Sequence, residues 1–194
     1  MGMSPLEIIA CLVSVIGVAL TVFRNMWSWL FNFFAYILYG YLFFTYQLYG
    51  ETILQGCFVV LGVYGFLVWL KTKQINHDII IQPLGTKKAI IQIVMAIVAG
   101  VVFGWGLKTF TPAALPLLDA QLAALSLLAT YWTSQKHIAT WILWVVVDIV
   151  YVGMFSYKAL YLTAVLYAAF VVMAGYGWYM WDKVQKSGLY KHSP

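Results

Sequence analysis

Two stripes of residues in this chain have the types and spacing to do chemistry. Trp29, Asn32, Tyr36 and Tyr39 follow one another at steps of three, four and three, and Trp141, Trp144, Asp148 and Tyr151 repeat those steps. Such spacing places each set on one face of a helix. Aromatic walls with a few polar groups among them suit a flat heteroaromatic ligand, which stacks on the rings while the polar groups fix its orientation. Asp148 is the sharpest feature, because it sits at the middle of an apolar run and no other span carries a charge near its middle. A carboxylate at that depth costs about 2.5–3.5 kcal/mol on insertion scales. Three uses of it are open: facing a cationic ligand, orienting helices as a protonated acid or through a hydrogen bond to Tyr or Thr, or coupling to protons. A cationic ring stacked on Trp and facing Asp148 gains from cation–π attraction and from charge pairing. Gln55, with Tyr167 as its counterpart, is a candidate ligand amide; its competing use is a hydrogen bond between helices.

The elements that carry these stripes follow from composition. Of 194 residues, 64% are hydrophobic and 9% charged, against roughly 25% charged in a soluble domain. That deficit excludes a soluble globule and requires apolar segments of about 20 residues each. Apolar runs between charged or Pro/Gly breaks predict seven membrane helices, at about 6–23, 29–46, 52–70, 88–107, 117–133, 138–157 and 160–181. The one sizeable polar loop is Lys71–Lys88, and the tail from Asp182 to Pro194 reads as polar and loose. The first run lacks a basic start and a small-residue cleavage site, so it is expected to be a retained helix. Cys11 and Cys57 both lie in apolar stretches and read as packing residues. Net charge is +5, but the basic residues sit in short loops, which indicates topology rather than nucleic-acid binding.

Shifting the chain by 112 residues matches it to itself without a gap over more than 40 positions. Trp29 falls on Trp141, Tyr39 on Tyr151, Phe58 on Phe170, Tyr64-Gly65 on Tyr176-Gly177 and Trp69 on Trp181. The expected organisation is one transmembrane domain over 1–194, with repeat 1 at about 6–70, a linker helix at 88–107 and repeat 2 at about 117–181. The intervening helix makes the two copies parallel, a 3+1+3 arrangement about an axis along the membrane normal. Ala96, Gly100 and Gly104 on helix four form a small-residue face expected to pack within the chain. Counted by side, nine of the eleven basic residues fall on the face reached by Arg24, Lys71 and Lys183, which orients the N-terminus outside and the C-terminus in the cytoplasm. Outer aromatics Tyr46, Tyr49, Tyr157 and Tyr161 are expected in the interfacial belt, as are Trp69, Trp178 and Trp181 at the basic end.

Phosphate-loop, H-E-x-x-H, G-x-S-x-G and C-x-x-C motifs are missing, and His77, His137 and His192 are scattered in loops and tail. No enzymatic activity, cofactor or metal is expected. A lipid bilayer and a small-molecule substrate are the expected partners.

The W-x-x-W-x-x-x-[ND] pattern at Trp141, Trp144 and Asp148, the segment QLYGETILQ at 47–55, and the Tyr-Gly then Trp closing each repeat resemble the nicotinamide riboside transporter (PnuC) family of vitamin uptake proteins. The resemblance covers nearly the whole chain. It implies a SWEET-like fold of full length, facilitated diffusion across the bacterial inner membrane, homotrimers, and ligand contacts from Trp141, Trp144, Asp148 and Gln55. Asp148 stands where nicotinamide riboside members commonly have Asn, and thiamine and riboflavin transporters share the architecture. The expected function is transport of nicotinamide riboside by alternating access around the aromatic site, with another B-type vitamin, or a binding subunit with a separate energising partner, as alternatives.

Overall fold

A computed structural model describes residues 5–45, 49–76, 78–110, 115–157 and 161–191. They form seven helices: α1 (Pro5–Val22), α2 (Trp27–Thr45), α3 (Tyr49–Asn76), α4 (Thr86–Phe110), α5 (Pro116–Ser134), α6 (Ala139–Tyr157) and α7 (Tyr161–Lys191). Five of them, all but α2 and α5, are long and apolar enough to cross a membrane. The other two carry more polar groups along their length: Asn32 with several Tyr and Trp in α2, and Asp119, Gln121 and a run of Ser and Thr in α5. Large apolar side chains cover the outside, among them Phe34, Ile37, Tyr41 and Phe44 on α2 and Ile142, Val146 and Ile149 on α6. A surface of that kind is at home against lipid rather than water.

Two helices outrun their expected ends. The α3 helix continues past residue 70 to Asn76, and α7 continues past residue 181 through most of the supposedly loose tail. Neither extension meets a proline, and in α7 the Lys186 ammonium pairs with Asp182 one turn earlier at 2.6 Å. Polarity there marks a helix leaving the apolar layer rather than a helix ending.

Neighbouring helices close a cycle: α1 packs on α2, α2 on α3, α3 on α5, α5 on α6, α6 on α7, and α7 on α1. The α4 helix stands outside the cycle against α5. Its glycines allow the approach, since a methyl at Gly100 would come within 3.0 Å of the Gln121 backbone and one at Gly104 within 2.9 Å of Leu117.

The 112-residue correspondence extends to the turns. After α1, Arg24 N–H donates to Thr21 and Asn25 N–H to Leu20; after α5, Lys136 N–H donates to Thr133 and His137 N–H to Trp132. Each is a Schellman-type close, with the left-handed position filled by Arg24 (φ 56°) or Lys136 (φ 62°) instead of glycine. Left-handed backbone costs a residue with a Cβ about 1–2 kcal/mol, so the side chains at these positions must return something.

Four indoles form the core of this end. Trp29 meets Trp69 edge to face at 5.5 Å, Trp141 meets Trp181 the same way at 5.3 Å, and Trp69 and Trp181 touch at 6.3 Å. Trp69 donates its indole N–H to the Thr133 carbonyl of α5 at 3.2 Å, and Trp181 donates to the Val22 carbonyl of α1 at 3.1 Å. Both are fully buried, which corrects their assignment to an interfacial belt; Trp178 is exposed, as are Tyr157 and Tyr161. Tyr46 and the Tyr49 side chain lie outside the described residues.

The indoles of Trp29 and Trp141 lie flat against Gly65 and Gly177. A methyl at Gly65 would sit inside the Trp29 ring, and one at Gly177 would come within 2.7 Å of Trp141. Gly65→Ala and Gly177→Ala should each lower the melting temperature of the purified protein. Overpacking costs about 1–3 kcal/mol, which outweighs the roughly 1 kcal/mol helix-propensity gain. Gly56→Ala on α3, with open space around it, should show that gain alone and hold or raise the melting temperature.

Candidate functional site

The α2 stripe turns toward both of its neighbours. Asn32 leans on Gly17 of α1, while Tyr36 rests on Gly62 and stacks on Phe58 of α3 at 5.1 Å. Tyr39 lies beside Ser14 of α1 and stacks on Phe43 at 5.8 Å. With α1 on one flank and α3 on the other, this is the inward face of α2. Gln55 approaches α2 at Gly40, and its buried Oε1 has no hydrogen-bond partner.

On α6, Trp144 is half-buried and packs against both apolar clusters of the chain. Tyr151 meets Tyr167 of α7 at 4.6 Å, Phe155 stacks on the same ring at 5.1 Å, and Tyr167 meets Phe170 edge to face at 5.7 Å. Trp144, Asp148 and Tyr151 therefore lead from the tryptophan core to an aromatic group between α6 and α7. Asp148 is 3% exposed, and no hydrogen bond or ion pair from the described residues reaches its carboxyl group. Among the described residues no Tyr or Thr hydroxyl bonds that group.

Trp29 and Trp141 stand apart from the other eight candidates. Both belong to the tryptophan core, although their indole N–H groups are buried without partners. The stripes thus start in packing, and the positions from Asn32 and Trp144 onward lie outside the fully buried tryptophan core. Two apolar grooves lie elsewhere, one on α4 at Val101, Val102 and Trp105 and one between α5 and α6 at Leu118, Val150 and Met154. None of the ten candidate residues lines either groove.

Sequence reasoning missed Ile79 and Ile81, which enter the tryptophan core from the supposed polar loop. The signal was the Ile-Ile-Ile run at 79–81, obscured by the charges around it. Lys136 and His137, expected as a loop cation and a scattered loop histidine, are instead buried at the basic end. Burial lowers the Lys136 pKa. It is also the main cause lowering that of His137, where Lys88 and Lys136 act in the same direction and the Gln82 and Pro83 carbonyls oppose it. His77 and His192 lie outside the described residues.

A histidine held below its ordinary value of 6.5 stays neutral in the fold while the unfolded chain takes up a proton. Its contribution is therefore intact above that value and is lost as pH falls through it. Melting temperature measured from about pH 8 down to about pH 5 should fall through this window, and His137→Asn should flatten that part of the curve.

Comparison with known proteins accounts for nearly the whole chain. Residues 4–183 match the family model described as nicotinamide mononucleotide transporter. The nicotinamide riboside transporter PnuC of Escherichia coli K12 is 24% identical over 92% of this chain and 85% of its own length. PnuC of Neisseria mucosa is 23% identical over 94% of this chain and 75% of its own. A crystal structure of the vitamin B3 transporter PnuC shares the fold, with a TM-score of 0.74 and 23% identity over 95% of this chain and 82% of that one. The match spans both repeats, the helix between them and every residue of both stripes, and the chain belongs to the nicotinamide mononucleotide transporter family of membrane transporters.

Proposed function

We propose that this chain carries nicotinamide riboside across the bacterial inner membrane by facilitated diffusion. The observation that carries the reading is Asp148, a buried carboxyl group without a partner among the described residues, set between Trp144 and the Tyr151–Tyr167 pair. Nicotinamide riboside has a flat cationic ring. Stacking on the aromatic side chains would supply cation–π attraction, and the ring would supply the positive charge that no described residue brings to the carboxylate. Asn32, Tyr36, Tyr39 and Gln55 would present polar atoms to the sugar and amide from the other repeat, and the unpartnered Gln55 Oε1 supports that use.

In this reading all seven helices cross the bilayer in a 3+1+3 arrangement of parallel, SWEET-like repeats. The closed cycle of six helices with α4 outside it supports the arrangement. The two repeats rock about the central site, opening it alternately to either side. The N-terminus lies outside and the C-terminus in the cytoplasm, in keeping with the basic ends of α1, α3, α5 and α7. The membrane potential draws the cation inward by about 2.3 kcal/mol per 100 mV. The apolar outer face of α4, with Val98, Val102 and Trp105 exposed, is where we place the contact of a homotrimer.

Proteoliposomes containing the chain alone should take up labelled nicotinamide riboside down its gradient, faster with the interior negative and unaffected by a pH gradient. Uptake of thiamine or riboflavin in its place would reassign the substrate. Binding without flux would indicate a missing energising partner. Asp148→Asn should reduce apparent affinity about tenfold or more, the loss expected for about 1.4 kcal/mol of charge pairing, while the melting temperature holds or rises because a buried charge has been removed. A large fall in melting temperature with affinity unchanged would return Asp148 to a structural role.

A further inference from the structure

The segment Asp78–Gln82 crosses the basic end of the bundle and is fastened to both repeats. Ile79 and Ile81 point inward and are buried among Trp29, Trp69, Trp141 and Trp181, while Ile80 between them is exposed. At one end, the Arg24 guanidinium donates to both Asp78 carboxylate oxygens at 3.2 and 3.3 Å and to the Ile79 carbonyl at 2.9 Å. At the other, Gln82 N–H donates to the Lys136 carbonyl at 3.0 Å, and Ile138 N–H returns a bond to the Gln82 carbonyl at 3.3 Å. Arg24 and Lys136 are the equivalent left-handed residues of the two turns. The strained positions therefore hold the side chain and the carbonyl that fasten this one segment, and Lys136 also donates to Thr72 at the end of α3 at 2.8 Å.

We propose that Asp78–Gln82 is a strap that closes the basic end of the pathway, with the Arg24–Asp78 pair as its latch. A segment tied to both repeats cannot keep both ties when the repeats separate at this end. The two ties differ in kind. The Gln82 tie is a pair of backbone bonds beside the buried Lys136 and His137 side chains. The Arg24 tie is one hydrogen bond to the Ile79 carbonyl and an ion pair whose side chains are 21% and 68% exposed, the ion pair being open to water and salt. The strap therefore gives way at its Arg24 end, uncovering the tryptophan core around Ile79 and Ile81, while Gln82 stays paired with the turn before α6. Its role as a gate rests on the transport reading; its latch does not.

The test uses Ile81→Cys in a background of Cys11→Ala and Cys57→Ser, reconstituted in lipid nanodiscs so that both faces meet a charged maleimide. Ala35→Cys, buried on α2 away from the strap, reports general loosening. Asp78→Asn removes the charge, and Arg24→Gly removes the guanidinium while suiting the left-handed turn. Each should raise the labelling rate at position 81 by about two- to fivefold, the range an exposed ion pair supports, without raising it at position 35. Raising KCl from about 0.05 to about 0.5 M should raise labelling of the latched protein but not of either variant. Unchanged labelling at position 81 in both variants, or equal increases at positions 81 and 35, would overturn the proposal. Labelling needs no substrate, so failure to carry nicotinamide riboside would leave this result standing and count against the transport reading alone.

Discussion

The contact between Trp69 and Trp181, with the two indole hydrogen bonds that cross from α3 to α5 and from α7 to α1, is the constraint on which the rest of the fold depends. In lipid there is little hydrophobic gain in bringing helices together, so association rests on close packing and on hydrogen bonds between helices. These two side chains supply both at once, each anchoring the last helix of one repeat on the first helix of the other. Once α3 lies against α5 and α7 against α1, the positions of α2 and α6 follow, and their stripes turn inward. The flat seating of Trp29 on Gly65 and of Trp141 on Gly177 then sets how closely the helices of each repeat approach.

Along the stripes the chemistry changes with depth. At the basic end aromatic rings fill space against one another. Farther in, Trp144 and Asp148 on α6, Tyr36 on α2 and Gln55 on α3 set polar groups beside aromatic walls, and neither the Asp148 carboxyl group nor the Gln55 Oε1 has a hydrogen-bond partner among the described residues. Unpaired polar groups in a membrane interior are costly, and a ligand that brings the missing charge and hydrogen bonds recovers that cost on binding. On the proposed reading, recognition and stability are opposed at Asp148. The tryptophan core and the strap over it provide the closed end against which such a site can operate.

Much of this was legible in the sequence. Helix number followed from apolar length, and the spacing that groups Asn32, Tyr36 and Tyr39 on one face of α2 is met by their contacts with α1 and α3. The close approach of α4 to α5 was visible in Gly100 and Gly104. What escaped was set by tertiary contact. Trp69 and Trp181, at the ends expected for their helices, look like belt residues until Gly65 and Gly177, one turn earlier on the same helices, are seen to open space for Trp29 and Trp141. Ile79 and Ile81 sit among charges in a loop, and only the pocket between four indoles gives them somewhere to be buried. The length of α7 was hidden because hydropathy reports where a helix leaves lipid rather than where it ends.

The central claim is that Asp148 recognises positive charge on a ring held by aromatic side chains. It is tested most directly by titration calorimetry with oxidised nicotinamide riboside, a cation, and its reduced dihydro form, which is neutral at the ring. The cation should bind about tenfold or more tightly than the neutral form, a difference of at least about 1.4 kcal/mol, and Asp148→Asn should narrow that ratio by weakening the cation alone. Equal affinity for the two forms, or a ratio that Asp148→Asn leaves unchanged, would contradict it.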